Sequence, residues 1–161
     1  MNLKILKFEQ LEYMSGSLRV YAVNDNFSNI NDSKFHKYDS KIFSKFIKKT
    51  NFIRVNLKKF ISKYKNQNKS IVGIGAATKG NTLLNYCGFN SSDINYILEK
   101  SKHKIGKFTP GSAIPIINEN NILKINAIIF LPWNINNFLK KKFLSKYKVD
   151  YISLADIVKI T

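Results

Sequence analysis

The sequence predicts an α/β fold, a parallel sheet with flanking helices, on three observations. Two short, wholly apolar runs, Ile71-Val72-Gly73-Ile74 and Ala127-Ile128-Ile129-Phe130-Leu131, have the length and content of strands buried on both faces. Helical periodicities precede and follow them, over residues 40–66 and 135–147. The first run ends in Gly75-Ala76-Ala77-Thr78-Lys79-Gly80, a turn of small residues, before Thr82, Leu83, Leu84 and Tyr86 of a short helix. Strand, tight turn, helix is the unit that aims unpaired helix N–H groups at an anion in doubly wound sheets.

Each element has its own signal. Leu3, Ile5, Phe8, Leu11 and Tyr13 alternate loosely. The alternation is regular in the next strand, with Leu18, Val20 and Ala22 on one face and Arg19, Tyr21 and Val23 on the other. Joined through Met14-Ser15-Gly16-Ser17, the two form a hairpin-like lead-in. Residues 24–39, rich in Asn, Asp and Ser, read as a loop. A long helix follows, with Ile42, Phe43, Phe46, Ile47, Ile53, Leu57, Phe60, Ile61 and Tyr64 at helical spacing and Asp39 or Ser40 as N-cap. Its aromatic stripe reads as core.

The short helix after the glycine turn stops at Gly88, in the C′ position. Asn95-Tyr96-Ile97-Leu98-Glu99 is the next strand, and residues 102–111 are a loop turned by Pro110-Gly111. Ala113-Ile114-Pro115-Ile116-Ile117 is a short segment whose proline sends it to a sheet edge. Ile135, Phe138, Leu139, Phe143 and Leu144 mark an amphipathic helix, Tyr151-Ile152-Ser153-Leu154 a last strand, and residues 155–160 a tail. Right-handed crossovers make the sheet parallel and Rossmann-like. At 161 residues the chain is one domain: 1–38 a β lead-in and loop, 39–67 the long helix, 68–161 the α/β core.

Composition narrows the function classes. The formal net charge is +17, which attracts polyanions. Yet of 27 basic residues only Arg19 and Arg54 are arginines, and Asn and Ile are abundant. Lys, Asn and Ile together read as the bias of an AT-rich genome, so nucleic acid is not the expected partner. No apolar run is long enough to span a bilayer, and the basic start lacks the apolar stretch of a secretory signal. Cys87 is the single cysteine, which rules out an intrachain disulfide and fits a reducing, cytoplasmic setting. One cysteine and two histidines speak against a zinc site.

Candidate site residues cluster after the apolar runs. Gly73 and Gly75 allow a sharp turn and close ligand approach, Ala76 and Ala77 keep that turn open, and Lys79 offers a point charge. The third glycine, Gly80, comes too late for a G-x-G-x-x-G spacing, so a tight connection without a ligand is the equal alternative on this stretch alone. Glu99 ends a strand near the position where dinucleotide sheets place an acid on a ribose hydroxyl; the alternative is a solvated carboxylate beside Lys100 or Lys102. His103 has nothing nearby to orient it as a base and reads as a surface or ligand-contacting residue. Trp133 offers a flat face for a base or sugar, or a core ring; Asn134 offers an amide, or a helix cap.

With Gly16-Ser17-Leu18-Arg19-Val20-Tyr21-Ala22 upstream, the glycine turn through Asn81, the Gly106-Lys107-Phe108-Thr109-Pro110-Gly111 loop and Leu131-Pro132-Trp133-Asn134 occur in an order that resembles one family. That family is the C-terminal domain of the SAM-dependent sugar C-methyltransferases, which methylate carbons of nucleotide-linked deoxysugars. The resemblance covers nearly the whole chain. It implies a sugar-nucleotide site formed by Gly73, Gly75, Ala76, Lys79, Gly80, Asn81, Glu99, Lys104, Gly106, Thr109, Pro110, Gly111, Pro132, Trp133 and Asn134. The family's SAM-binding and catalytic-base segments have no counterpart in this sequence. No catalytic residue is therefore assigned and no cofactor is expected on this chain. S-adenosylmethionine is expected on a partner polypeptide, with a non-catalytic relic or nucleotide-binding module of the same fold as the alternative. A small dinucleotide-binding protein is a further reading that the glycine turn and Glu99 leave open.

Overall fold

The structure, a computed structural model, describes residues 3–12, 17–24, 40–121 and 124–159. The chain divides into two compact units, Met1–Phe43 and Ser44–Thr161. In the first, strands β1 (Leu3–Leu11) and β2 (Ser17–Asn24) pair antiparallel. The register shifts between Ile5 and Lys7, leaving Leu6 as the extra residue of a bulge. The bulge accounts for the loose alternation of β1. It returns Phe8 to the face of Ile5, so that Ile5 lies opposite Ala22 and Phe8 opposite Val20. This apolar face is exposed, Phe8 by 61% and Leu18 by 64%. On the other face Glu9 accepts from Lys7 Nζ at 2.6 Å and from the Tyr21 hydroxyl at 3.1 Å, with Arg19 at 3.7 Å. The expected turn through residues 14–17 (save Ser17, the first residue of β2), the loop over 25–39 and the capping side chains at 39 and 40 lie outside the described residues.

The second unit holds most of helix α1 (Ser40–Lys65), then β3 (Ile71–Ile74), α2 (Thr78–Cys87), β4 (Tyr96–Glu99), β5 (Ile116–Asn118), β6 (Ala127–Phe130), α3 (Asn136–Leu144), β7 (Asp150–Ser153) and α4 (Leu154–Lys159). The five strands form one sheet in the order β5-β4-β3-β6-β7, every neighbour parallel. This is the expected Rossmann-like arrangement: β3 is central, and the chain leaves it first to one side, then to the other, which opens a crevice at the strands' C-terminal ends. Alternate residues serve opposite faces. Ile71, Ile97, Ala127 and Ile129 pack under Leu57 and Ile61 of α1, Leu84 and Cys87 of α2 and Ile157 of α4. Val72, Ile74, Leu98, Ile128 and Phe130 pack under Leu139 and Phe143 of α3. Burial on both faces is why β3 and β6 are continuous apolar runs rather than alternating ones. Burial also pushes the Cys87 thiol up to about 11, so it is a core group rather than a nucleophile.

The long helix, expected over 40–66, runs from Ser40 to Lys65. Gly88 is left-handed, with φ 71°, and its N–H returns to Asn85 O, as expected of a C′ stop. Three expectations need correction. Helix α2 begins at Thr78, inside the stretch read as a turn. The helix expected over 135–147 is split into a 3-10 turn, Trp133–Ile135, and α3. The expected tail over 155–160 is helical from Leu154 to Lys159. Its start carries a signal: in Ser153-Leu154-Ala155-Asp156 the Ser153 hydroxyl accepts the Asp156 N–H at 3.2 Å and donates to the Asp156 carboxylate at 2.6 Å. No described helix is long and apolar enough to cross a membrane.

Candidate functional site

The site is built where the sheet ends and two connections meet. β3 ends at Ile74, and Gly75 turns the chain with φ +83°, a conformation that a side chain resists. A Cβ there would also stand 2.5 Å from Pro132 Cγ. The turn is therefore shaped for contact with the segment after β6. Ala77 is the N-cap of α2, with φ −86° and ψ 149°, and no side chain caps the helix. No acidic residue stands in its first turn. The N-cap methyl group therefore gives the first turn no acceptor, at the positive end of the helix dipole.

The 101–111 loop is seated against this turn. Lys104 Nζ donates to the Ala76 carbonyl at 2.8 Å. Asn85 Nδ2 of α2 donates to the Pro110 carbonyl at 2.9 Å, and Gly111 (φ +78°) lies against the Asn85 amide where any Cβ would overlap it. The Thr109 hydroxyl is buried and meets Ser112 Oγ at 2.6 Å and the Ile114 N–H at 2.9 Å. It braces the loop from within rather than facing a ligand. Gly106 is left-handed, with open space beside it.

Turn, helix and loop line a half-open cavity of about 340 Å³. Ala76, Ala77, Thr78, Asn81 and Leu84 form one wall, His103, Lys104, Lys107 and Phe108 another, and Leu131 closes it on the β6 side. Among the described residues no carboxylate lines it. The buried amide oxygen of Asn81 has no hydrogen-bond partner. A cavity with a helix start that has no side-chain cap, two lysines and an apolar floor suits a ligand with an anionic part and an apolar part.

The expected residues separate into groups. Ala76, Asn81, Lys104, Thr109 and Pro110 line the cavity. Lys79 and Trp133 pair with each other, the ammonium 5.8 Å from the ring centroid. Gly73 and Gly80 are packing glycines: a Cβ on Gly73 would run into Ile97 Cδ1, and one on Gly80 would stand 2.6 Å from Leu131 Cβ. Trp133 and Asn134 form the 3-10 turn and are not in the cavity wall. Glu99, expected at a ribose or sugar hydroxyl, accepts backbone N–H groups on both its oxygens. Oε2 accepts the Ala76 N–H at 2.8 Å, and Oε1 accepts the Lys100 and Ser101 N–H groups at 2.9 and 3.0 Å. Lys107 and Phe108, read only as part of a basic loop, join the wall. Their place inside the Gly106–Gly111 motif was the available signal.

Gly80→Ala tests the packing. In an exposed helix this change gains up to about 1 kcal/mol. Here the overlap with Leu131 reverses the sign, and a loss of about 1–3 kcal/mol is expected in chemical denaturation. Leu131→Ala leaves Leu131 Cβ in place and costs about 2–5 kcal/mol by itself, so the double variant should be less stable than either single one, with a total somewhat short of the sum of the two losses.

Comparison with known proteins agrees with this arrangement. A family model described as C-methyltransferase C-terminal domain matches residues 14–149. The C-methyltransferase NovU of Streptomyces niveus is 34% identical over 64 residues, which cover 40% of this chain and 15% of that protein. The match to the family model runs from within the first unit through strands β3 to β6 and the cavity and stops just before β7, and the chain belongs to the C-methyltransferase C-terminal domain family.

Proposed function

We propose that this domain binds the nucleotide-linked deoxysugar of a C-methylation reaction and presents it to a SAM-binding methyltransferase polypeptide. The start of α2, which has no side-chain cap at Ala77 and opens on a basic cavity with no carboxylate among the described residues of its wall, carries the reading. The diphosphate would sit at the first turn of α2, near Lys104 and Lys107, and the nucleoside or sugar against Leu84, Phe108 and Leu131. The domain's contribution is positioning: it holds a sugar carbon where a base and a methyl donor on the partner can reach it. The exposed apolar face of the β1–β2 ribbon supports the existence of a partner, since a two-stranded ribbon has little stability until that face is covered. The methyl donor binds on the partner in this reading, and no residue of this chain is given a catalytic role.

Calorimetric titration with a panel of nucleotide-linked deoxysugars, NAD and S-adenosylmethionine tests it. A sugar nucleotide should bind, more weakly as salt rises, and Lys104→Ala with Lys107→Ala should cost at least about ten-fold in affinity, or 1.4 kcal/mol. Binding of S-adenosylmethionine or NAD in preference to every sugar nucleotide would overturn the reading.

A further inference from the structure

We propose that Glu99 is the positioning residue of this cavity: it fixes the glycine turn and the 101–111 loop in the arrangement that keeps the start of α2 open, and it does not touch the ligand. The proposal rests on the reading of the cavity as a sugar-nucleotide site. Its observation is separate from that reading, and lies in how Ala76 is held. The Ala76 N–H goes to Glu99 Oε2 at 2.8 Å, and its carbonyl receives Lys104 Nζ at 2.8 Å. Two consecutive peptide groups are thus oriented by side chains from the end of β4 and the loop after it, just before the N-cap Ala77. Lys104 Nζ stands 3.7 Å from Glu99 Oε2, which closes a triangle between turn, strand end and loop.

The other oxygen works in the opposite direction. Glu99 Oε1 takes the Lys100 and Ser101 N–H groups and so shapes the first step of the loop. One carboxylate therefore couples two connections that are 23 residues apart in the chain at its Ala76 contact. The task needs two acceptor oxygens on one side chain. A glutamine has a single acceptor oxygen and would set its NH2 against N–H donors on one side. Of the carboxylate's four acceptor sites the three N–H groups take three, and the remaining one on Oε2 faces the Lys104 ammonium at 3.7 Å. Burial by itself would push the carboxyl up. The N–H groups of Ser101, Ala76 and Lys100, with the Lys104 ammonium, outweigh burial and hold it below the ordinary value.

The test follows amide resonances of the isotope-labelled full chain from neutral to acid pH. The Ala76, Lys100 and Ser101 amides should titrate together, with one shared midpoint below the ordinary glutamate value of about 4.3. This measurement needs no variant. Glu99→Gln should abolish the shared titration. In a Glu99→Gln protein that still melts cooperatively, the affinity for inorganic pyrophosphate should fall at least about ten-fold. Amides that titrate separately would overturn the proposal, as would a folded Glu99→Gln protein that binds pyrophosphate as the wild type does. A wild-type chain that ignores pyrophosphate while the three amides titrate together would overturn the ligand reading and support the clamp.

Discussion

Ala77→Asp should stabilise the domain and weaken its affinity for anions. Ala77 already has the extended backbone that N-caps adopt, but its methyl group has nothing to accept with. An aspartate there would take a first-turn N–H and meet the positive end of the α2 dipole, for a gain of about 0.5–2 kcal/mol. Ala77 also lines the cavity, so the new carboxylate would stand where a ligand oxygen is expected and repel it. Affinity for inorganic pyrophosphate or a sugar nucleotide should drop at least about ten-fold. Ala77→Ser separates the two effects, because it caps without adding charge, and its affinity should fall less. Denaturant unfolding and calorimetric titration of the same samples provide the check. A rise in stability with a fall in affinity cannot come from misfolding. A stabilised Ala77→Asp protein with unchanged affinity would move the ligand away from α2.

Phe130→Ala should have the largest effect on stability. Phe130 is fully buried at the end of β6, with ring centroids 6.4 Å from Phe143 and 5.8 Å from Tyr151, both edge-on. Removing the ring leaves a cavity in the single layer between the sheet and α3, and a loss of about 3–5 kcal/mol is expected. The melting temperature should fall by roughly 10 °C. Phe138 on α3 is the control: it is 65% exposed, and Phe138→Ala should stay within about 0.5 kcal/mol of the wild type. Equal losses in the two variants would mean that α3 packs on the sheet by a different face.

The pair Phe138 and Phe143 also marks a limit of periodicity. Both fit the helical pattern, as does Ile135, yet only Phe143 reaches the core and Ile135 is 45% exposed. Spacing assigns residues to a stripe about a helix axis. How much of the stripe is covered depends on the surface the helix meets. The same is true of α1, where Leu57, Ile61 and Tyr64 are buried while Ile42, Phe43, Phe46 and Ile47 remain exposed.

By itself, the sequence determined what local chemistry decides. Short apolar runs specified β3 and β6, a 3.6-residue period specified α1 to within a residue, Gly88 specified the end of α2, and the order of elements specified a parallel sheet. The positions of the glycine turn and the basic loop at strand ends were legible for the same reason. Tertiary structure decided what each side chain does with its capacity. Gly73 and Gly80 could be read as ligand-facing from the sequence; in the fold Ile97 of β4 and Leu131, just past the end of β6, fill the space beside them. The Thr109 hydroxyl is spent within its own loop, and both Glu99 oxygens are taken by backbone groups, one of them distant in sequence. A carboxylate has the same residue type and spacing whether its lone pairs face a ribose or a neighbouring peptide. Only the folded chain brings the competing donors within reach and so settles which of them it binds.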